Sequence, residues 1–284
     1  MAKILKGAEV TSSLNESLIE RTNKLKAQNV IPTLAILRVG ERDDDVSYEK
    51  GAIKRCQKIG VEVKQFILPE DVSEEKLADT IIEINNDNAI HGCLMFRPLP
   101  KHINEDRIRR MLAPEKDVDG ITDGSLASVF SGNKEGYPPC TAQACMEILD
   151  HFGYDMRGKK AVVVGRSLVV GKPAAMLLLK KNATVTVCHT KTEDMPAVCR
   201  EADVLIVAAG KAGVITKEYL SEGQIVIDVG IHINDEGKLT GDVCFDEAEP
   251  IISAITPVPG GVGTVTTSVL VKHTVDAAEK SLNK

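Results

Sequence analysis

The 284-residue chain carries 35 Lys and Arg against 41 Asp and Glu, a formal net charge of −6, with 43% hydrophobic and 27% charged residues. That balance argues against a nucleic-acid surface, and no apolar run reaches the roughly 18 residues of a membrane span, so neither nucleic acid nor membrane is expected as a partner. The length allows two domains, each with its own core. The opening MAKILKGAEV lacks the apolar core of a signal peptide, and the seven cysteines are scattered with no C-x-x-C pair. Reduced thiols in a cytoplasmic protein follow as the expectation. The six histidines have no spacing that suggests a metal, and none is expected.

In chain order, residues 8–28 read as an amphipathic helix with Val10, Leu14, Leu18 and Ile19 on one face. Leu34 to Val39 reads as a strand, followed by Gly40 and an acidic turn, 41–45, whose spacing fits no calcium loop. A helix from Val46 to Ile59, a strand from Val61 to Leu68 and a helix from Glu74 to Asn86 follow. Gly92 to Phe96 is a third strand, running into the stiff Arg97-Pro98-Leu99-Pro100. Asn104 to Leu112 is helical and leads to the loop Lys116-Asp-Val-Asp-Gly120. Repeated β-then-α units imply a parallel sheet, with ligands at the carboxyl ends of its strands. Tyr48, the PLP loop and Asp119 are thereby candidates for one wall. Cys140 in PPCT has the chemistry of a nucleophile, but a small buried thiol beside a turn is the favoured reading.

A helix near Thr141–Phe152 leads into a second domain with strands Ala161–Val164, Val185–Cys188, Val204–Val207, Ile225–Asp228 and a short one near Ile255. The boundaries read as 1–147 for the first domain and 148–264 for the second. A last helix, opened by Thr256 to Thr264, returns to the first domain as residues 265–284. The informative stretch is Gly158 to Thr192. There a buried strand ends in Gly165-Arg166-Ser167, Gly171 opens an apolar helix, and a second strand follows. This is the βαβ order in which a helix start holds a pyrophosphate. The Gly-x5-Gly spacing departs from G-x-G-x-x-G, and by itself it also suits a plain tight turn. An NAD site places an acid at the end of the second strand, whereas this chain has His189-Thr190-Lys191. Arg166 and Thr190 suit a 2′-phosphate, so NADP is favoured, with NAD left open.

Taken together, Lys116-Asp-Val-Asp-Gly120, Pro139-Cys-Thr141, Gly165-Arg-Ser167, Val170-Gly-Lys-Pro173, Cys188-His189, Asp228-Val-Gly230, Gly241-Asp-Val243 and Thr256-Pro-Val-Pro-Gly-Gly-Val-Gly263 make the sequence resemble the methylenetetrahydrofolate dehydrogenase/cyclohydrolase family over almost its whole length. The resemblance implies an α/β protein of two domains, the second of Rossmann type, commonly a homodimer, with NADP on the second domain and folate in a cleft. It implies hydride transfer from 5,10-methylenetetrahydrofolate to the nicotinamide, a task of orienting two rings. It makes Tyr48 the stacking tyrosine and Asp119 the acid that bonds the pterin. It adds Phe96, Pro259, Gly260, Gly261 and Val262 to the substrate side. On the cofactor side it implies Gly165, Arg166, Ser167, Gly171, Thr190, Gly210 and Ile231. Without the resemblance, Tyr48 reads as an ordinary helix-face aromatic, and Asp117 and Asp119 as turn formers before Gly120.

The chain departs from the family at two linked places. Bifunctional members hydrolyse the methenyl product with a lysine four residues after the tyrosine and a glutamine before the PLP loop. Here those positions are Ala52 and Phe96, neither of which can shuttle a proton. Lys50 and Lys54 lie roughly 160° and 120° from Tyr48 around the helix, against roughly 40° for Ala52. Arg97 offers a cation but no base. Smaller departures are His232, where the family prefers asparagine, and Thr264-Val265, where it prefers proline then methionine. Dehydrogenase with the cyclohydrolase weak or absent is the expectation. A fully bifunctional enzyme with a replacement group and a non-catalytic dinucleotide- and folate-binding sensor are the alternatives.

Overall fold

A computed structural model describes residues 1–234 and 236–282. In chain order its elements are β1 (Lys3–Ile4), α1 (Gly7–Lys26), β2 (Thr33–Val39), α2 (Asp43–Ile59), β3 (Glu62–Leu68), α3 (Glu74–Asn86), β4 (Gly92–Met95), α4 (Glu105–Met111), α5 (Asp123–Ser131) and α6 (Cys140–His151). There follow β5 (Lys160–Val164), α7 (Gly171–Lys180), β6 (Thr184–Cys188), α8 (Met195–Arg200), β7 (Val204–Val207), β8 (Ile225–Asp228), β9 (His232–Ile233), β10 (Leu239–Thr240), α9 (Phe245–Ala248), β11 (Ala254–Ile255) and α10 (Val262–Ser281). No helix among the described residues is long and apolar enough to cross a membrane.

The chain divides into two compact units. One holds residues 13–140 and 267–284, the other residues 1–12 and 141–266. The last helix thus falls with the first domain from Thr267 on. The units depart from the sequence boundaries at the crossing, where residues 141–147 fall in the second unit, and at the start of the chain, where residues 1–12 do. The reason for the latter is β1, which adds a parallel strand beside β11 through Lys3↔Ala254 and Ile4↔Ile255. A two-residue strand is too short to have a readable period. Asn283 and Lys284, assigned with the last helix, lie outside the described residues.

In the unit of residues 13–140 and 267–284, a parallel sheet has the order β3-β2-β4. Central β2 reads TLAILRV and is buried over nearly its whole length, as a strand covered on both faces must be. Its one charge, Arg38, bonds Glu49 of α2 at 2.7 Å in the interior. Edge strand β3 is far more exposed. Helix α2 buries Asp45, Glu49, Ala52, Cys56 and Ile59, a stripe at helical spacing. It begins at Asp43, so the acidic residues expected in a turn form its first turn, where carboxylates suit the helix dipole. Helix α5 was not expected. Its sequence DGSLASVFS has little period, and Thr122 caps it by accepting from the Ser125 N–H at 3.1 Å.

The other unit is a six-stranded sheet ordered β1-β11-β8-β7-β5-β6, parallel throughout. The core strands are continuous apolar runs, AVVV in β5 and VLIV in β7. The chain goes outward from β5 to β6, then crosses back to β7 on the other side of β5. That reversal opens a crevice at the carboxyl ends of β5 and β7, where doubly wound sheets bind their ligands.

Candidate functional site

Tyr48 lies in the second turn of α2, just past the carboxyl end of β2, with its ring 37% exposed. Phe96 follows β4 directly and meets it edge-on, ring centroids 5.9 Å apart at 82°. The Thr267 side chain of α10 lies in the neighbourhood of the Tyr48 hydroxyl. Desolvation first, and then the Asp119 charge, push the phenol well above its ordinary value. The phenol therefore stays neutral.

Asp119 does not follow a strand end, as the sequence suggested. It comes from a loop laid beside β4, where Cys93 N–H donates to Lys116 O at 2.7 Å. The tight exit of that loop needs Gly120, at φ +70°, because a Cβ there would strike the backbone of residues 137–139. Asp117 is the turn former, accepting from the N–H groups of Ile121 (3.0 Å) and Thr122 (2.7 Å). Burial, and next the charge of Asp117, raise the Asp119 carboxyl to about 7, opposed by a hydrogen bond from the Cys140 thiol and by Arg97. The Cys140 sulfur also lies 3.3 Å from Val118 O, and burial pushes the thiol well above its usual value. That thiol is a packing group and not a nucleophile.

Ala52 and Phe96, where the resemblance implied a lysine and a glutamine, each adjoin Tyr48. Ala52 is fully buried, one turn along α2 from Tyr48, and Phe96 is 9% exposed. Lys50 and Lys54 are exposed. The Lys116 ammonium is committed to Ile84 O at 2.6 Å and Asp87 O at 2.7 Å. The Arg97 guanidinium is held by Glu105 at 2.5 and 2.8 Å, while the other oxygen of that carboxylate takes Leu99 N–H.

In the second unit, β5 ends at Val164, aligned with Cys188 of β6. Gly165, at φ +125°, packs so closely on Ala208 O that a Cβ would collide with it, and a Cβ at Gly171 would collide with Gly165 O. Such a turn leaves room for a diphosphate to approach bare backbone, and the residues fit that group. The Ser167 hydroxyl accepts from Val170 N–H (3.1 Å) and Gly171 N–H (3.4 Å), fixing the start of α7. Arg166 and Thr190 are both exposed just past the aligned strand ends, with no acid between them.

Two buried carboxylates, which the sequence reading had not assigned, organise the remaining loops of this end. Asp228 accepts from the N–H groups of Gly230 (2.9 Å), Asp242 (3.0 Å) and Val243 (3.0 Å). Asp242 accepts from Ala209 (2.7 Å), Gly210 (3.0 Å) and Lys211 (3.0 Å). The glycines of D-V-G and G-D-V are required because a Cβ at Gly230 or Gly241 would collide with one carboxylate or the other. Ile231 is 59% exposed. It lines a cavity of about 210 Å³ with the loop Pro257–Thr264, so Ile231, Pro259, Gly260, Gly261 and Val262 are brought together. Thr267, beside the Tyr48 hydroxyl, and Asp242, beneath the Gly210 turn, were not among the expected site residues. Asp242 had a signal in the glycines that flank the two aspartates.

Residues 5–119 match the family described as tetrahydrofolate dehydrogenase/cyclohydrolase, catalytic domain, and residues 139–282 match its NAD(P)-binding domain. The bifunctional protein FolD of Carboxydothermus hydrogenoformans is 52% identical over 281 residues, covering 98% of each chain. The crystal structure of the bifunctional enzyme FolD, methylenetetrahydrofolate dehydrogenase/cyclohydrolase, from Campylobacter jejuni superposes with a TM-score of 0.95 at 37% identity, covering 99% of both chains. That of the Trypanosoma brucei methylenetetrahydrofolate dehydrogenase-cyclohydrolase, complexed with NADP cofactor and inhibitor, gives 0.91 at 34%, covering 100% of this chain and 99% of the other.

Proposed function

The chain belongs to the tetrahydrofolate dehydrogenase/cyclohydrolase family, and we propose that it oxidises 5,10-methylenetetrahydrofolate to 5,10-methenyltetrahydrofolate with NADP⁺ while hydrolysing that product weakly or not at all. The observation that carries the second half is the pair Ala52 and Phe96, one buried and the other packed on Tyr48, where a proton-transfer pair would have to stand.

NADP⁺, when bound, supplies the hydride acceptor. Everything else falls to the protein. Tyr48 offers a ring face to the folate, and ionised Asp119 accepts from pterin N–H donors. The backbone at Gly165 and Gly171 takes the diphosphate, with Ser167 shaping the turn. Arg166 and Thr190 take the 2′-phosphate, and Gly210 and Ile231 line the cofactor's other loops. Pro259 to Val262 close on the ligand with exposed backbone. Hydride transfer needs no side-chain proton shuttle, so the loss of lysine and glutamine leaves the oxidation intact. A homodimer is what the resemblance implies, and the seven unpaired cysteines accord with the reducing compartment of a cytoplasmic protein.

The test is a spectrophotometric assay with methylenetetrahydrofolate and either dinucleotide. Methenyl product that forms with NADP⁺ and persists is the expected result. Product that decays as fast as it forms establishes the bifunctional reading, which the names of the relatives favour. Dinucleotide binding without turnover establishes a sensor. In the same assay Arg166→Gln is expected to raise the KM for NADP⁺ by roughly tenfold and leave that for NAD⁺ within about twofold, the size of one lost charge-assisted hydrogen bond. Equal effects on both dinucleotides would remove Arg166 from the 2′-phosphate.

A further inference from the structure

The Asp242 carboxylate is fully buried and takes a fourth donor besides the three backbone N–H groups. His232 Nε2 lies 2.7 Å from Oδ1. Because an ionised carboxylate only accepts, Nε2 must carry the proton. His232 belongs to β9 and pairs across the hairpin with Thr240 of β10, two residues before Asp242. Its ring is 25% exposed, so it sits at the surface of the loop cluster with one nitrogen turned inward. Asp242 is therefore the junction of three segments. It holds the turn after β7 by three N–H groups, its own N–H is held by Asp228 at the end of β8, and His232 ties the hairpin to it. The turn after β7 contains Gly210, and the segment between β8 and β9 contains Ile231. Both lie past the carboxyl ends of adjacent strands, where a dinucleotide binds in this fold.

We propose that His232 is a positioning residue for the dinucleotide, setting through Asp242 the separation of the Gly210 turn from the Ile231 segment. This rests on the dinucleotide reading above. Without the imidazole donor, Asp242 Oδ1 keeps only the Lys211 N–H, and the hairpin loses its side-chain tie to the turn. The backbone of both loops survives, the Gly210 turn held by its three N–H bonds to Asp242 and the Ile231 segment by Asp228 and the ladder, so the effect falls on ligand affinity before it falls on the fold. Glutamine places an amide N–H close to the reach of Nε2 and preserves the tie. Leucine fills the space and cannot.

The experiment compares the native enzyme with His232→Leu and His232→Gln. It measures direct NADPH binding by fluorescence titration, the KM for each substrate and the melting temperature. His232→Leu is expected to weaken NADPH binding and raise the KM for NADP⁺ by roughly tenfold, the cost of one hydrogen bond to a charged group, with the KM for methylenetetrahydrofolate within about twofold. His232→Gln is expected to stay within about threefold of native on every reading, since the donor is retained. Native affinity in His232→Leu overturns the proposal, as does an equal loss in Leu and Gln or a parallel rise of both KM values. If His232→Leu does not fold, His232→Asn, whose amide falls short of Oδ1, takes its place with the same expectation. A native protein that fails to bind NADPH counts against the dinucleotide reading itself, a result distinct from a native protein that binds and a Leu variant that binds equally well.

Discussion

Ala52→Lys combined with Phe96→Gln is expected to raise the hydrolysis of methenyltetrahydrofolate by roughly 10²-fold or more, the ordinary contribution of a positioned proton-transfer group. The reasoning is geometric. Residue 52 is one turn from Tyr48 on α2, and residue 96 presents the ring that Tyr48 touches, so the two substitutions meet on one face. Neither is expected to suffice alone. Ala52→Lys by itself pushes an ammonium into the buried stripe of α2 beside a phenyl ring, which overfills the space and leaves a charge without an acceptor, so its melting temperature should fall. Glutamine at 96 supplies the missing acceptor and restores part of that loss. Hydrolysis is read from the decay of added methenyl compound, without NADP. If the double variant is as inert as the native protein, Ala52 and Phe96 are not the cause of the missing step. If the native protein already hydrolyses as fast as it oxidises, nothing was missing.

Asp119→Asn is the second large effect, expected to raise the KM for methylenetetrahydrofolate by roughly 10- to 100-fold with little change in the KM for NADP⁺, because an amide cannot accept two pterin N–H groups as a carboxylate does. The pH dependence is the sharper sign. With the carboxyl raised to about 7 by burial and by Asp117, it is largely protonated at pH 6 and largely ionised at pH 8. Since the pterin donors need the ionised form, the native KM should fall roughly tenfold across that interval, and the dependence should vanish in Asp119→Asn. Stability runs the other way. A carboxyl whose folded value lies above its unfolded one favours the fold at low pH and loses that contribution as pH climbs toward 7. The melting temperature of Asp119→Asn relative to native should therefore improve between pH 5 and pH 8. A native KM flat from pH 6 to 8 would separate Asp119 from the pterin.

The interior strands were legible because a strand covered on both faces is one apolar run, as in β2, β5 and β7, and each is closed by a glycine or a charged turn. Gly165 and Gly171 were legible for the same reason that the structure needs them, since no other residue fits where two backbones nearly touch. What escaped had no period to read. Helix α5 is held by its cap and by burial of Ser125 and Ser128, not by an apolar stripe. Strands β1, β9 and β10 are two residues each and exist only because a partner is present. Asp228 and Asp242 were visible as motifs, but a carboxylate that gathers distant N–H groups looks, in sequence, like any acid beside a glycine. Thr267 comes beside Tyr48 from 219 positions away in the chain, a proximity that nothing local announces.

The stitching of residues 1–12 into the sheet of the second unit has a consequence for how the protein is made. Lys3 and Ile4 leave the ribosome about 250 residues ahead of their partners Ala254 and Ile255, and Gly7 N–H waits for Gly260 O, 2.8 Å away in the finished fold. The edge of that sheet must stay open until those partners are made, a closure of long sequence separation and correspondingly slow. Trimming the first few residues should for that reason loosen the Pro257–Gly261 loop at the far end of the chain while leaving the β3-β2-β4 sheet untouched.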